Sequence, residues 1–292
     1  MKKFILVTGG AGFIGSNLIL ELLKKTNLNI LSLDNYSSGK IKNHIKNKRV
    51  KYLKGHTKNI EKILQSYKKR IKVVFHFGEF ARIHQSFEKT KQCFDSNIIG
   101  TTEVIKYCLD FNVKLIYSAT SASLGNKGND QGLSPYVFTK SKNLKFLIHL
   151  RKWFGFKYEA IYFYNVYGPK QIQVGDMATV IGIFEKQYLD KKALTVVKPG
   201  FQSRKFTHIN DITKGCYEVW KKNLNRHYSI YESKSYSILN IAKMFNYKIR
   251  FLNKRKGERY SSSTVKYVGD IKVWPLKCKY KIKNYIQKFV EK

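Results

Sequence analysis

The chain has 292 residues and a formal net charge of +37, set by 56 Lys and Arg against 19 Asp and Glu. A chain of this length can bury a sizeable core, and it has no apolar run near the ~20 residues needed to cross a bilayer, which argues for a soluble protein. The charge raises nucleic acid or an anionic membrane as partners. The lysines, however, run from Lys2 to Lys292 and build no basic-aromatic module, so the expectation is a solvated basic surface with neither partner.

In chain order, the run Phe4 to Val7 reads as a first strand, since it is too short for the signal peptide that Met1-Lys2-Lys3 superficially resembles. It feeds Gly9-Gly10-Ala11-Gly12-Phe13-Ile14-Gly15, and a helical pattern, Ser16 to Lys24, follows. A strand, glycine loop and helix in this order bring backbone N–H groups and a positive helix end to one spot, which suits a pyrophosphate. The same loop can also be a purely structural turn. A second strand, Asn29 to Asp34, ends in an acid at about the distance, ~20 residues past the loop, where a carboxylate meets the ribose hydroxyls of NAD. Asn35 follows instead of an arginine, which favours NAD over NADP.

Further strands are expected at Arg49 to Leu53, Lys72 to Phe77, Lys114 to Ser118 and Tyr158 to Tyr164. Helical patterns lie around Asn59 to Tyr67, Asp95 to Phe111, Tyr136 to Trp153 and Thr179 to Leu189. Apolar strands alternating with helices predict an α/β chain with a doubly wound parallel sheet. Ligands in such sheets sit at the carboxyl ends of the strands, which gathers Asp34, Phe77-Gly78, Ser118 to Thr120 and Tyr164-Asn165 around one crevice. Residues 1–167 are expected to form this domain and 168–292 a smaller, less regular substrate-binding region, partly interleaved with the first. The cysteines, Cys93, Cys108, Cys216 and Cys278, have neither metal nor redox spacing and fit a reducing cytoplasm.

A tyrosine four residues before a lysine lies one helical turn from it, and a nearby ammonium draws a phenol pKa down from about 10 toward the range of a general base. The pair occurs four times, as Tyr36/Lys40, Tyr136/Lys140, Tyr188/Lys192 and Tyr217/Lys221. Only Tyr136/Lys140 opens a helix after the Ser118-Ala119-Thr120 strand end. Thr120 then offers a hydroxyl to the substrate oxygen whose proton Tyr136 removes.

Taken together, Thr8 to Ser16, Asp34-Asn35, Val74 to Gly78, Asn97 with Gly100-Thr101, Tyr117 to Gly125, Tyr136 to Lys140, Phe163 to Pro169, Arg204 to Asp211, and Arg255 with Gly257-Glu258 resemble the extended short-chain dehydrogenase/reductases. Within them the chain is similar to the NAD-dependent nucleotide-sugar epimerases and dehydratases, with the UDP-glucose 4-epimerases the nearest branch. The resemblance implies a Rossmann-type fold, a homodimer and bound NAD, and Thr120, Tyr136 and Lys140 as catalytic residues. It places Gly9, Gly12, Phe13, Ile14, Gly15, Asp34, Asn35, Phe77, Gly78, Asn97, Ser118 and Tyr164 at the cofactor. It places Thr120, Asn165, Arg204, Arg255 and Glu258 at a nucleotide-sugar substrate. Lys140 is also expected to help depress the Tyr136 pKa.

Dehydratases of this family carry Asp-Glu after the threonine and decarboxylases a glutamate two residues after it. Ser121 and Ala122 stand here, so epimerisation through a transient 4-keto sugar with hydride return is the implied reaction. A second reading is a nucleotide-sugar dehydrogenase or ketoreductase, and a third, motivated by the charge, a non-catalytic basic binding protein. Three departures stand out: His56 in place of an aspartate at the adenine, Glu79 in place of a small residue, and a short segment between Gly125 and Tyr136.

Overall fold

Six strands lie side by side in the order β6-β5-β4-β1-β2-β3, all parallel. They are β1 (Phe4–Thr8), β2 (Asn29–Asp34), β3 (Val50–Lys54), β4 (Ile71–His76), β5 (Lys114–Thr120) and β6 (Tyr158–Phe163). All of β1 is buried, as a parallel strand covered on both faces requires. Leu6, Leu31, Val74 and Leu115 pack on one face with Val104 and Leu147, from helices Gly100–Asp110 and Pro135–Phe154. Ile5, Ile30, Val73 and Ile116 pack on the other with Leu18 of α1 (Phe13–Lys25) and Ile212 of helix Ile209–Lys222. This is a Rossmann-type sheet, and its strand order reverses between β1 and β4, where a crevice opens at the carboxyl ends. The computed structural model describes residues 2–124, 130–254 and 264–291.

The chain then returns to this sheet. His227–Ile230 pairs in parallel with β6, Ile271–Leu276 pairs with His227–Ile230, and Tyr267–Val268 adds an antiparallel edge. A second layer places Ser203–His208 between Ser235–Ser237 and Asn165–Tyr167, and pairs Leu194–Val197 with Ile249–Leu252. Phe184, Phe206 and Phe245 fill its core.

Two helices differ from the sequence pattern. The expected helix Asn59 to Tyr67 is broken into a 3₁₀ turn Thr57–Asn59, one α turn Ile60–Ile63 and a second 3₁₀ piece Gln65–Arg70. Only Ile60 and Leu64 in this stretch are fully buried, too few anchors to hold a continuous α-helix. The helix expected from Asp95 starts earlier, at Thr90–Phe94, and passes through a π-helical turn, Asp95–Ile99, before Gly100–Asp110.

Candidate active site

The glycine loop is shaped by backbone contact. Gly9 has φ +70°, and a Cβ there would stand 2.7 Å from the Phe77 carbonyl oxygen. At Gly15 a Cβ would come within 2.2 Å of the Gly9 carbonyl oxygen. Any larger residue would push strand, loop and helix apart. Gly12 is the N-cap of α1, in extended backbone and with no side chain capping it, so the first-turn N–H groups and the positive helix end face the crevice. At the end of β2, Asp34 Oδ2 accepts from the Ala11 N–H at 2.9 Å and Oδ1 from the Tyr36 N–H at 2.8 Å. Burial raises the Asp34 carboxyl pKa, and those two bonds oppose the rise. Each oxygen keeps acceptor capacity for a hydroxyl. A glycine cradle, an anion-binding helix end and an acid on the next strand fit the pyrophosphate and ribose of a dinucleotide.

Across the crevice, helix Pro135–Phe154 begins with Pro135 in its first turn and Ser134 as N-cap, whose Oγ accepts from the Val137 N–H at 3.2 Å. This well-stopped start fixes Tyr136 and, one turn later, Lys140. At the tip of β5, Thr120 Oγ1 accepts from the Ala122 N–H at 3.2 Å, and the Thr120 hydroxyl also bonds the Tyr136 phenol. Burial pushes the Tyr136 pKa up to about 12; the Thr120 bond and the Arg82 charge oppose this, and the Glu79 carboxylate adds to it. The expected depression by Lys140 is therefore not what the geometry delivers.

Lys140 forms an ion pair with Glu79 Oε2 and donates to the Ser118 carbonyl oxygen, with Tyr117 Oη at 3.4 Å. Burial lowers the Lys140 pKa and Glu79 opposes that effect. Glu79 also accepts from Thr101 Oγ1 at 3.1 Å, Tyr117 Oη at 3.2 Å and Asn143 Nδ2 at 3.3 Å. Since the Thr101 hydroxyl donates to Glu79, it accepts from His76 Nε2–H at 2.9 Å, which leaves His76 Nδ1 to accept from Thr8 Oγ1 at 2.7 Å. Burial holds His76 neutral, with a pKa lowered to about 4. One proton order thus runs from β1 through His76 to the Glu79–Lys140 pair.

Gly9, Gly12, Phe13, Ile14, Gly15, Asp34, Asn35, Phe77, Gly78, Ser118, Thr120, Tyr136, Lys140, Tyr164, Asn165 and Arg204 all line one cavity of about 530 Å³. Asn97 does not line it. This fully buried side chain accepts from the Phe80 N–H at 2.6 Å and donates to the Phe80 carbonyl at 3.1 Å and to Thr139 Oγ1 at 3.0 Å. It thereby ties the loop after β4 to the helix that carries Tyr136. Gly125, Arg255, Gly257 and Glu258 lie outside the described residues. His56 uses Nδ1 to accept from the Lys58 N–H at 3.1 Å, capping the turn Thr57–Asn59. It borders an adjoining depression with Asn35 and Asp95. Glu79 and Arg82 join the cavity wall. The misfit of a carboxylate after Phe77-Gly78 flags Glu79 in the sequence, but no motif marks Arg82.

Residues 5–232 match the family model described as the NAD dependent epimerase/dehydratase family. The chain is 31% identical over 235 residues to a protein of Bacillus subtilis (strain 168) named an uncharacterized UDP-glucose epimerase, YtcB, covering 75% of this chain and 72% of that one. It is 29% identical over 234 residues to a UDP-glucuronate 4-epimerase of Thermodesulfobacterium geofontis (strain OPF15), covering 73% and 70%. In fold it superposes on the crystal structure of the Thermotoga maritima UDP-glucose 4-epimerase with UDP-glucose at a TM-score of 0.85, with 23% identity and 99% and 97% of the two chains covered. The chain belongs to the NAD dependent epimerase/dehydratase family, and NAD is its cofactor.

Proposed function

We propose that the protein interconverts the C4 epimers of a UDP-sugar. The observation that carries this reading is the Thr120–Tyr136 hydroxyl pair at the cavity wall with Ser121 and Ala122 beside it. Two hydroxyls can hold and deprotonate a sugar oxygen. Neither Ser121 nor Ala122 can supply the acid or base that elimination of water would need.

In this reading the sugar 4-hydroxyl sits between Thr120 Oγ1 and the Tyr136 phenol. Tyr136 would take the hydroxyl proton as the 4-keto sugar forms and would give a proton back to the same oxygen when the hydroxyl is restored. Thr120 orients the reacting oxygen throughout. NAD, when bound, supplies the hydride acceptor and returns the hydride, so it is regenerated in each turnover. Gly9, Gly12 and Gly15 with the start of α1 would hold its pyrophosphate, and Asp34 the adenosine ribose. Lys140, steadied by Glu79, would hold the nicotinamide ribose. Asn165 and Arg204, on the opposite layer, would face the substrate diphosphate, where a guanidinium gives charge-assisted bonds.

Two coarser features extend the reading. Phe94, Ile99, Phe138, Trp153 and Phe154 are exposed on the helices around Thr90–Asp110 and Pro135–Phe154, an apolar face that supports a homodimer. Among the described residues no helix is long and apolar enough to cross a membrane, and all four cysteines are free thiols, which supports the cytoplasm as its location.

The test is incubation of the protein and NAD with UDP-glucose, UDP-N-acetylglucosamine and UDP-glucuronate, followed by NMR of the sugar and absorbance of the reduced nicotinamide. A 4-epimer without net reduction is the expected result. Stoichiometric NADH release would instead favour the dehydrogenase reading, and the absence of any product would sink both.

A further inference from the structure

Among the described residues, the cavity wall holds a cation, Arg82, that forms no ion pair with a carboxylate. Arg82 follows β4 in the loop that Asn97 fastens, and its guanidinium is anchored by backbone carbonyls. Nε donates to the Met177 oxygen at 3.1 Å, Nη2 donates to the same oxygen, and Nη1 donates to the Ala81 oxygen at 2.8 Å. Among the described residues it has no carboxylate partner. The three carboxylates on the same wall are engaged elsewhere: Asp34 with two backbone N–H groups, Glu79 with Lys140, and Asp176 with Lys89 at 2.7 Å.

Three of the five guanidinium N–H bonds are used by these carbonyls, which leaves one on each terminal nitrogen. Two such donors on a rigid plane match the two oxygens of a carboxylate. Arg82 also stands at the reacting end of the cavity. Met177, whose carbonyl anchors it, packs against the cluster that contains Tyr136, Ala122 and Phe80, and the Arg82 charge acts directly on the Tyr136 phenol. Arg204, the candidate diphosphate partner, comes from strand Ser203–His208 in the other layer. In a hexose the 4-hydroxyl lies next to C5, which carries C6. A carboxylate at C6 therefore falls beside whatever group holds the 4-hydroxyl.

Resting on the epimerase reading above, we propose that Arg82 makes the sugar end of this cavity a carboxylate site, and that the substrate is a nucleotide sugar of the hexuronic acid class. The anchored guanidinium gains its counter-ion when the uronate enters, while a neutral 6-hydroxymethyl group leaves the charge uncompensated in a partly desolvated wall. Discrimination therefore comes from the neutral sugar's failure as much as from the uronate's fit.

The experiment is calorimetric titration of the NAD-loaded protein with UDP-glucuronate and with UDP-glucose, alongside turnover of each, for wild type, Arg82→Met and Arg82→Lys. Wild type should bind UDP-glucuronate about ten- to a hundredfold more tightly, as a charge-assisted pair provides. That ratio should collapse toward one in Arg82→Met and be partly kept in Arg82→Lys. The wild-type ratio needs no variant, so misfolding of either variant cannot hide the answer. A ratio near or below one in wild type, or an unchanged ratio in folded Arg82→Met, overturns the proposal. Equal binding with epimerisation of UDP-glucose would overturn the carboxylate site and leave the epimerase reading standing. Arg82-dependent preference for UDP-glucuronate without any epimer formed would do the reverse.

Discussion

The Glu79 carboxylate closes on the Lys140 ammonium inside the protein, an ion pair between side chains 2% and 5% exposed. Breaking such a pair leaves a buried charge alone, which costs about 3 to 5 kcal/mol. Glu79→Ala should lose stability of that order in chemical denaturation, and Glu79→Gln less, because its amide oxygen still accepts from Lys140. The same substitutions remove a negative charge that raises the Tyr136 pKa. If deprotonated Tyr136 is the base, turnover rises with pH up to that pKa, so the ascending limb of the pH–rate profile should move to lower pH in Glu79→Gln. An unmoved limb, or one displaced upward, would contradict this coupling.

Replacing Tyr136 with Phe removes the proposed proton acceptor while keeping the ring packed beside Val137 and Phe80. Turnover should fall by about 10² to 10⁴, the usual share of general acid–base catalysis. Thr120→Val should reduce turnover less, by about tenfold or more, because Tyr136 remains but loses the bond that counters its raised pKa. Thermal denaturation of both variants checks that the fold is intact. Wild-type turnover in Tyr136→Phe would exclude the assigned role.

Gly15→Ala and Gly9→Ala should both weaken dinucleotide binding by an order of magnitude or more, because the added methyl meets backbone at 2.2 and 2.7 Å. Gly132→Ala has no heavy atom within 4 Å of its new methyl and should bind as wild type does. Fluorescence titration with NADH compares the three. Equal affinity across them would mean that the loop is a structural turn only.

Asn97→Ala should act at a distance. It strands the Phe80 N–H and carbonyl in a buried position, at about 1 to 3 kcal/mol for each unsatisfied group, and frees the loop from helix Pro135–Phe154. Expected are a lower denaturation midpoint and a reduced kcat with smaller change in NADH affinity. A loss confined to NADH affinity would instead put Asn97 at the cofactor.

Buried histidines make the fold acid-sensitive. His76 and His208 are lowered to about 4, and His227 to about 3, all by burial. Below about pH 6.5 the unfolded chain takes up protons at these sites that the folded chain refuses, so stability falls as pH drops through the window from 6.5 toward 4. The slope should be about 1.4 to 4 kcal/mol per pH unit, for one to three protons. Denaturation curves taken across that range that show no slope would contradict neutral, buried imidazoles.

The parts of the site that could be read beforehand are those with local periodic or turn chemistry. The glycine loop, Asp34 at a strand end, and Tyr136 with Lys140 one turn apart all depend on residues close in sequence. The strands β1 to β6 were legible for the same reason, since each is a short apolar run. Glu79 is 61 positions from Lys140, and only folding shows that it pairs there, although its odd placement was visible. The resemblance places Asn97 at the cofactor, but its position in the chain says nothing of which way a buried amide turns. The π-helical turn around it replaces the plain helix that the pattern predicts. Arg82 had no signal at all, since a single arginine in a loop looks like any solvated charge until its neighbours are known.

The way β6 gains its outer neighbour also bears on how such a chain could be built or exchanged. Its second flank is supplied by His227–Ile230, some sixty residues after the chain has left the large sheet at Phe163. A fragment ending near Tyr167 would display β6, with its apolar Ala160 and Ile161, as an open template for other chains. Swapping residues 168–292 between relatives would thus also swap part of the sheet that supports Thr120. Changes in sugar preference are therefore better sought by single replacements on the cavity wall than by grafting whole halves.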